Sequence, residues 1–156
     1  MKIYRIAQIE DNNSQDVTAI AAVAKNAGYN SPKLHHSTPS NTFTTFDRSK
    51  SKNGFFFSNS PRNKEFGGNI ISVYLSYNNP FIDEGDTVLT DKWYNAIEEH
   101  GYDAIISQGS GSEFVDETVV FKPEQIKSAN PITYDDQGEE IPLSKRFDQN
   151  NSDIRY

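Results

Sequence analysis

His35 and His36, the acidic run Asp83-Glu84-Gly85-Asp86, the glycine-rich run Gln108 to Ser112 and the carboxylates Glu113, Asp116 and Glu117 are the residues whose types and spacing admit chemistry. Adjacent histidines on an extended segment point to opposite faces, so His35 and His36 do not chelate one ion together, and no metal site is expected. The run Gln108-Gly109-Ser110-Gly111-Ser112 has the glycines of a phosphate cradle. It lacks the Lys and hydroxyl spacing of a P-loop and the helix that follows a dinucleotide fingerprint. Asp83 to Asp86 lacks the alternating ligand spacing of a calcium loop and reads as a solvated turn. The chain has 0 Cys, which excludes a thiol nucleophile, a disulfide frame and a thiolate metal site and leaves the redox compartment open.

The elements that must position these groups are short. Asp16 stands where a helix N-cap belongs, and Val17, Ile20, Ala21, Ala24 and Ala27 recur at helical spacing up to Gly28, predicting a surface helix over about 17–27. Leu34 to Thr38 reads as a short extended segment after Pro32. Gly54-Phe55-Phe56-Phe57-Ser58 reads as a buried strand in which period two sets Phe56 apart from its neighbours. Ser60, Pro61 and Gly67-Gly68 outline a two-turn helix carrying Phe66. Ile71, Val73, Leu75 and Tyr77 alternate with polar positions in a half-buried strand that Asn78-Asn79-Pro80 ends. Thr90 or Asp91 opens a helix with Trp93, Ala96 and Ile97 inward, Gly101 closes it, and Ala104-Ile105-Ile106 forms the next strand. Glu117 to Phe121 forms another strand, stopped by Pro123, with Glu117 sharing a face with Val119 and Phe121. From about residue 130 to 156 the chain turns polar and reads as a peripheral C-terminal arm.

Composition bounds the function classes. The 156 residues fit a single domain, 1–156, and the 35% hydrophobic content is helped by 10 Phe, 8 Tyr and 1 Trp toward an aromatic-heavy core. Fifteen basic against 22 acidic residues give a net charge of -7, without the basic footprint of a nucleic-acid or anionic-membrane binder. No run approaches the roughly 20 apolar residues of a membrane span, and the first residues lack the apolar stretch of a signal peptide. A cytoplasmic protein is expected, whether of its own cell or of an infected or targeted one.

Read in order, His36-Ser37-Thr38, Gly54 to Ser58, Phe66 and Glu117-Thr118-Val119-Val120-Phe121 resemble an ADP-ribosyltransferase of the His-Tyr-Glu class, which includes diphtheria-like toxins and poly(ADP-ribose) polymerases. The resemblance is closest to the ADP-ribosyltransferase domains embedded in phage and prophage polyvalent proteins. It extends to Ala27-Gly28-Tyr29, Gly101-Tyr102-Asp103, the segment Val119 to Ser128 and the ending Arg146 to Tyr156, and it covers about residues 16–156. The resemblance implies an α+β fold of two small, mostly antiparallel sheets forming a split core, with peripheral helices and NAD in the cleft.

The function that the resemblance implies is mono-ADP-ribosylation of a macromolecular acceptor, most simply a protein, with NAD as substrate and no metal. Glu117 then supplies the carboxylate that stabilises positive charge on the ribose as nicotinamide leaves. His36 hydrogen-bonds the adenosine ribose, the Ser37 backbone holds the nicotinamide amide, and Thr38 supports the turn. Phe56 takes the place of the family Tyr, and Phe66 that of a second aromatic, so that two ring faces sandwich the pyridinium. Gly54 and Ser58, at the two ends of the Phe56 strand, complete the NAD-binding set. Two departures from the pattern stand out: Ser37 replaces a Gly, and Phe56 lacks a hydroxyl worth about 0.5–1.5 kcal/mol where it makes a contact. Val115, two residues before Glu117, stands where arginine-modifying relatives carry Gln or Glu, which disfavours arginine as acceptor. NAD hydrolysis, transfer to a small molecule or nucleic acid, and NAD binding without turnover remain as alternatives.

Overall fold

Short runs of β-branched and aromatic residues, each cut off by Gly, Pro or Asn, give short strands, and a computed structural model of the chain assembles them into one sheet. The structure describes residues 19–41, 43–61, 68–85, 89–108 and 117–156. The strands are β1 (Leu34–Thr38), β2 (Phe55–Ser58), β3 (Asn69–Leu75), β4 (Pro80–Asp83), β5 (Ala104–Ser107), β6 (Glu117–Val120) and β7 (Ile126–Ser128). Among the described residues two α-helices accompany them: α1, described over residues 19–26, and α2 (Asp91–Glu99). The result is a mixed α+β fold whose seven strands run in the order β4-β5-β6-β2-β1-β3-β7.

The expected pair of sheets is therefore replaced by one continuous sheet, antiparallel except where β4 runs parallel to β5. Its continuity is uneven. Five residue pairs register β1 against β3 and four register β2 against β6, whereas β1 meets β2 through the single pair His35↔Ser58. A one-pair ladder is a seam, and it divides β4-β5-β6-β2 from β1-β3-β7.

Side-chain alternation sorts the apolar residues onto two faces. Leu34, Phe55, Phe57, Ile71, Val73, Leu75, Ala104, Val120 and Ile126 point to one face, where Phe46 and Ile154 complete the main cluster. Burying Phe55 and Phe57 there contributes about 2 kcal/mol each. The opposite face carries two separate clusters. At the β3-β7 end, Tyr74 packs with Ile20 and Ala24 of α1 and with Phe147. At the β5-β6 end, Ile105 and Val119 pack with Ile97 of α2, with Phe56 and Tyr94 alongside. The two helices thus cover the flanks of this face and leave its middle to polar residues.

Several sequence expectations meet a different outcome. Trp93 does not face inward: it is 49% exposed, and the sheet-facing residues of α2 are Tyr94 and Ile97, three apart. The strand through Ile71, Val73 and Leu75 ends at Leu75, ahead of Asn78-Asn79-Pro80, but Pro80 also opens an unexpected strand, β4, tolerable because β4 is an edge strand and Pro stands first in it. The polar segment 130–156 is anchored rather than merely peripheral, since Thr133, Ile141, Arg146, Phe147 and Ile154 are buried. Its last residues stitch two parts of the fold together. Ser128 N–H donates to the Ile154 carbonyl at 2.8 Å, and Ile154 N–H donates to the Thr44 carbonyl at 2.8 Å. Beside them the buried Lys127 ammonium donates to the carbonyls of Asn151 at 2.6 Å and Asp153 at 3.2 Å. The proposed N-cap Asp16, the helix carrying Phe66, and the loop through Gly109 to Asp116 lie outside the described residues.

Candidate functional site

Beyond His35↔Ser58 the ladder between β1 and β2 does not continue, so the backbone groups that would have paired need other partners. His36 supplies one. Its ring Nδ1 donates to the Phe56 carbonyl at 2.8 Å across the seam, and because a carbonyl only accepts, the proton sits on Nδ1. Nε2 is then an acceptor in the neutral ring. The ring is held on three sides by Phe43, Phe46 and Phe57, with centroids at 6.3, 5.0 and 5.6 Å. Burial among these rings pushes the His36 pKa below its ordinary value, against the opposing effect of the Phe56 carbonyl, so the imidazole is neutral at pH 7.

Cavities open on both sides of this seam and share His36 and Ser37. The first, about 220 Å³, is lined by His35, His36, Ser37, Phe56, Phe57, Ser58 and Glu117. The second, about 570 Å³, is walled by Thr38, Phe43, Phe46, Asp47, Lys50 and Phe55, among others. Together they fall within the usual size range of small-molecule sites.

Register explains how polar side chains come to line the first cavity beside Phe56 and Phe57. Directly paired residues share a face, so Ser72, His35, Ser58, Glu117, Ser107 and Asp83 form one row across β3, β1, β2, β6, β5 and β4. The row occupies the gap that α1 and α2 leave open. Local hydrogen bonds fix most of it. Ser107 Oγ donates to Asp83 at 3.2 Å, Ser58 Oγ donates to the Ser60 carbonyl at 2.6 Å, and His35 Nδ1 lies 2.9 Å from Ser72 Oγ. Phe56 shares that face, and Tyr94 of α2 meets it edge-on at 5.6 Å between centroids.

Of the residues singled out from sequence, Glu117, His36, Phe56, Ser37 and Ser58 come together around the first cavity. Thr38 lines the second, and its hydroxyl accepts from Ser40 N–H at 3.1 Å, holding the bend after β1. Gly54 lines neither cavity. Its φ is +112°, and a Cβ there would stand 2.7 Å from Val119 Cγ1 and 2.8 Å from the Val120 carbonyl, so Gly54 lets β2 lie close against β6. Phe66 lies outside the described residues. Ser37 sits in β1, and among the described non-glycine residues the one with positive φ is Phe147, so the Ser37 backbone has a conformation any residue adopts. Sequence reasoning weighed His35 only as a metal ligand and passed over Tyr94. His35 was visible as the partner of His36, but what marks it is its pairing with Ser58; Tyr94 was visible as the residue three before Ile97.

Among the described residues there is no group of three or more His, Cys, Asp or Glu that could hold a metal ion, and no helix long and apolar enough to cross a membrane. No protein-family model matches the chain, and no curated protein matches it in sequence.

Proposed function

We propose that the chain is a mono-ADP-ribosyltransferase of phage or prophage type, which cleaves NAD and transfers ADP-ribose to a protein acceptor. One observation carries this reading: Glu117, Phe56, Ser58, His36 and Ser37 converge on one cavity at a seam in the sheet, although they come from three strands far apart in sequence. All five lie in the sequence motifs that carry the resemblance, Ser58 at the end of the same strand as Phe56.

The chemistry follows from what each group offers. The bond between ribose C1′ and the pyridinium nitrogen breaks, and its electron pair leaves with nicotinamide. Positive charge then grows on the ribose ring, where a fixed carboxylate at Glu117 stabilises it. The acceptor nucleophile forms the new bond at C1′ and gives up its proton. Phe56 offers an apolar, electron-rich face to the cationic ring before cleavage, a preference that weakens once the ring departs neutral. His36 Nε2, as a neutral acceptor, suits a ribose hydroxyl. The larger cavity beyond His36 gives the rest of a dinucleotide room.

Nicotinamide release from NAD by the purified chain, alone and with bacterial lysate, tests the reading. Mass spectrometry of the lysate proteins would then find the added ADP-ribose. Release that disappears in Glu117→Gln and increases with lysate supports transfer; release independent of lysate supports hydrolysis. A second reading, NAD binding without turnover, draws on the missing hydroxyl at Phe56 and predicts saturable binding with no release. The absence of both binding and release would remove NAD from the account.

A further inference from the structure

Both adjacent histidines of β1 line the first cavity, yet binding of a ribose hydroxyl uses only His36. His35 stands in the polar row, paired with Ser58, which is paired in turn with Glu117. Paired residues share a face, so His35 and Glu117 flank Ser58 at two strand spacings, about 10 Å from backbone to backbone. Ser58 is short, and its hydroxyl is turned back onto the Ser60 carbonyl at 2.6 Å, which leaves a gap between the two longer side chains. In inverting glycosidases the two working groups stand about 6.5–9.5 Å apart, and the attacking molecule enters between them.

One nitrogen of His35 is held and the other is available. Nδ1 lies 2.9 Å from Ser72 Oγ, which leaves Nε2 for a ligand. A serine hydroxyl either donates or accepts, so the same contact holds the ring before and after Nε2 gains a proton. Burial, and after it the charge of Lys33, lowers the His35 pKa, so the ring is neutral at pH 7. Glu117 does not serve both ends of the reaction: a carboxylate that took the acceptor's proton would lose the charge that stabilises the ribose cation.

We propose that His35 is the general base of the site: its Nε2 takes the proton of the incoming hydroxyl group as that oxygen bonds to ribose C1′. The inference rests on the reading of the site as one for ADP-ribose transfer. As the bond from C1′ to the pyridinium nitrogen breaks, its electron pair leaves with nicotinamide. The hydroxyl oxygen supplies the pair for the new bond, and its proton passes to His35 and then to water. A nucleophile with no proton to lose has no use for His35.

Azide is such a nucleophile and serves as the probe. In His35→Ala, nicotinamide release from NAD in water falls about tenfold while calorimetry finds NAD affinity unchanged. Sodium azide restores the release, and mass spectrometry finds ADP-ribosyl azide as the product. His35→Gln, whose amide still reaches for Ser72 but takes no proton, shows the same loss. Wild-type release in both variants, a loss that azide leaves in place, or a fall in NAD affinity would overturn the assignment and leave the transfer reading standing. A wild-type chain that releases no nicotinamide, with or without azide, overturns the transfer reading itself and the base with it.

Discussion

The two halves of the sheet that meet at the β1–β2 seam have similar strands and different duties. On one side, β2 and β6 bring Phe56, Ser58 and Glu117 to a common face, stiffened by four registered pairs and backed by α2. On the other, β1 brings His36, Ser37 and Thr38, stiffened by five pairs to β3 and backed by α1 and the C-terminal segment. The first half holds the carboxylate and the aromatic face; the second holds a neutral imidazole and the walls of the larger cavity. Strong ladders within the halves and a single registered pair between them teach where a sheet can open without unravelling. The break in registered pairing is confined to one line, and a side chain, His36, bridges it.

If the division of duties is right, substitutions in the two halves should differ in kind. The largest effect is expected at Glu117: Glu117→Gln should cut nicotinamide release by about a hundredfold or more while calorimetry finds NAD affinity little changed. Loss of affinity to the same degree would erase the distinction between the halves. Gly54→Ala is next. It forces a Cβ against Val119 and the Val120 carbonyl at positive φ, so the β2–β6 half should lose about 2 kcal/mol or more, read as a lower urea midpoint.

The β1 half answers to pH. Lys127 is pushed down to about 8 by burial, although Asp148, Asp153 and Glu124 pull the other way. The unfolded chain binds that proton more tightly, so stability should rise from about pH 8 toward 10.5, and Lys127→Met should flatten the rise in thermal melts. His36 works in the acid range. Its folded pKa lies below 6.5, so its neutral-state contribution is present above 6.5 and is lost as pH falls through the lower, folded value. NAD affinity should hold constant above pH 6.5 and fall about tenfold below the folded value, with His36→Gln flat throughout in the same calorimetric titrations. The smallest effect is expected for Ser37→Gly. Since the Ser37 backbone is ordinary extended chain, affinity should not improve, and stability should drop by about 0.5–1 kcal/mol.

What the sequence disclosed and what it hid divide along physical lines. Strands with an uninterrupted run of Phe, Val or Ile were legible as strands, and with them the positions of Phe56 and Glu117. β4 was hidden because Pro80 and Asp83 are turn residues everywhere except at the ends of an edge strand. The anchoring of the C-terminal segment was hidden because Ile141, Phe147 and Ile154 are scattered singly among polar residues and show no period. Trp93 and Tyr94 are equally good apolar candidates one position apart on a short helix, and only the shape of the sheet decides between them. The seam itself, and with it the row running from Ser72 to Asp83, depends on which strands become neighbours, a pairing that no local pattern encodes.

The strap from Ile154 to Thr44 and Ser128 also sets a schedule for the molecule as it is made. Thr45 and Phe46 wall the larger cavity, and the backbone that braces them belongs to residues translated long after. Until Ile154 leaves the ribosome, the Thr44 carbonyl and the Ser128 N–H lack their partners and the main cluster lacks an apolar member. A nascent chain therefore carries Glu117 and His36 for some time before the cavity wall is braced.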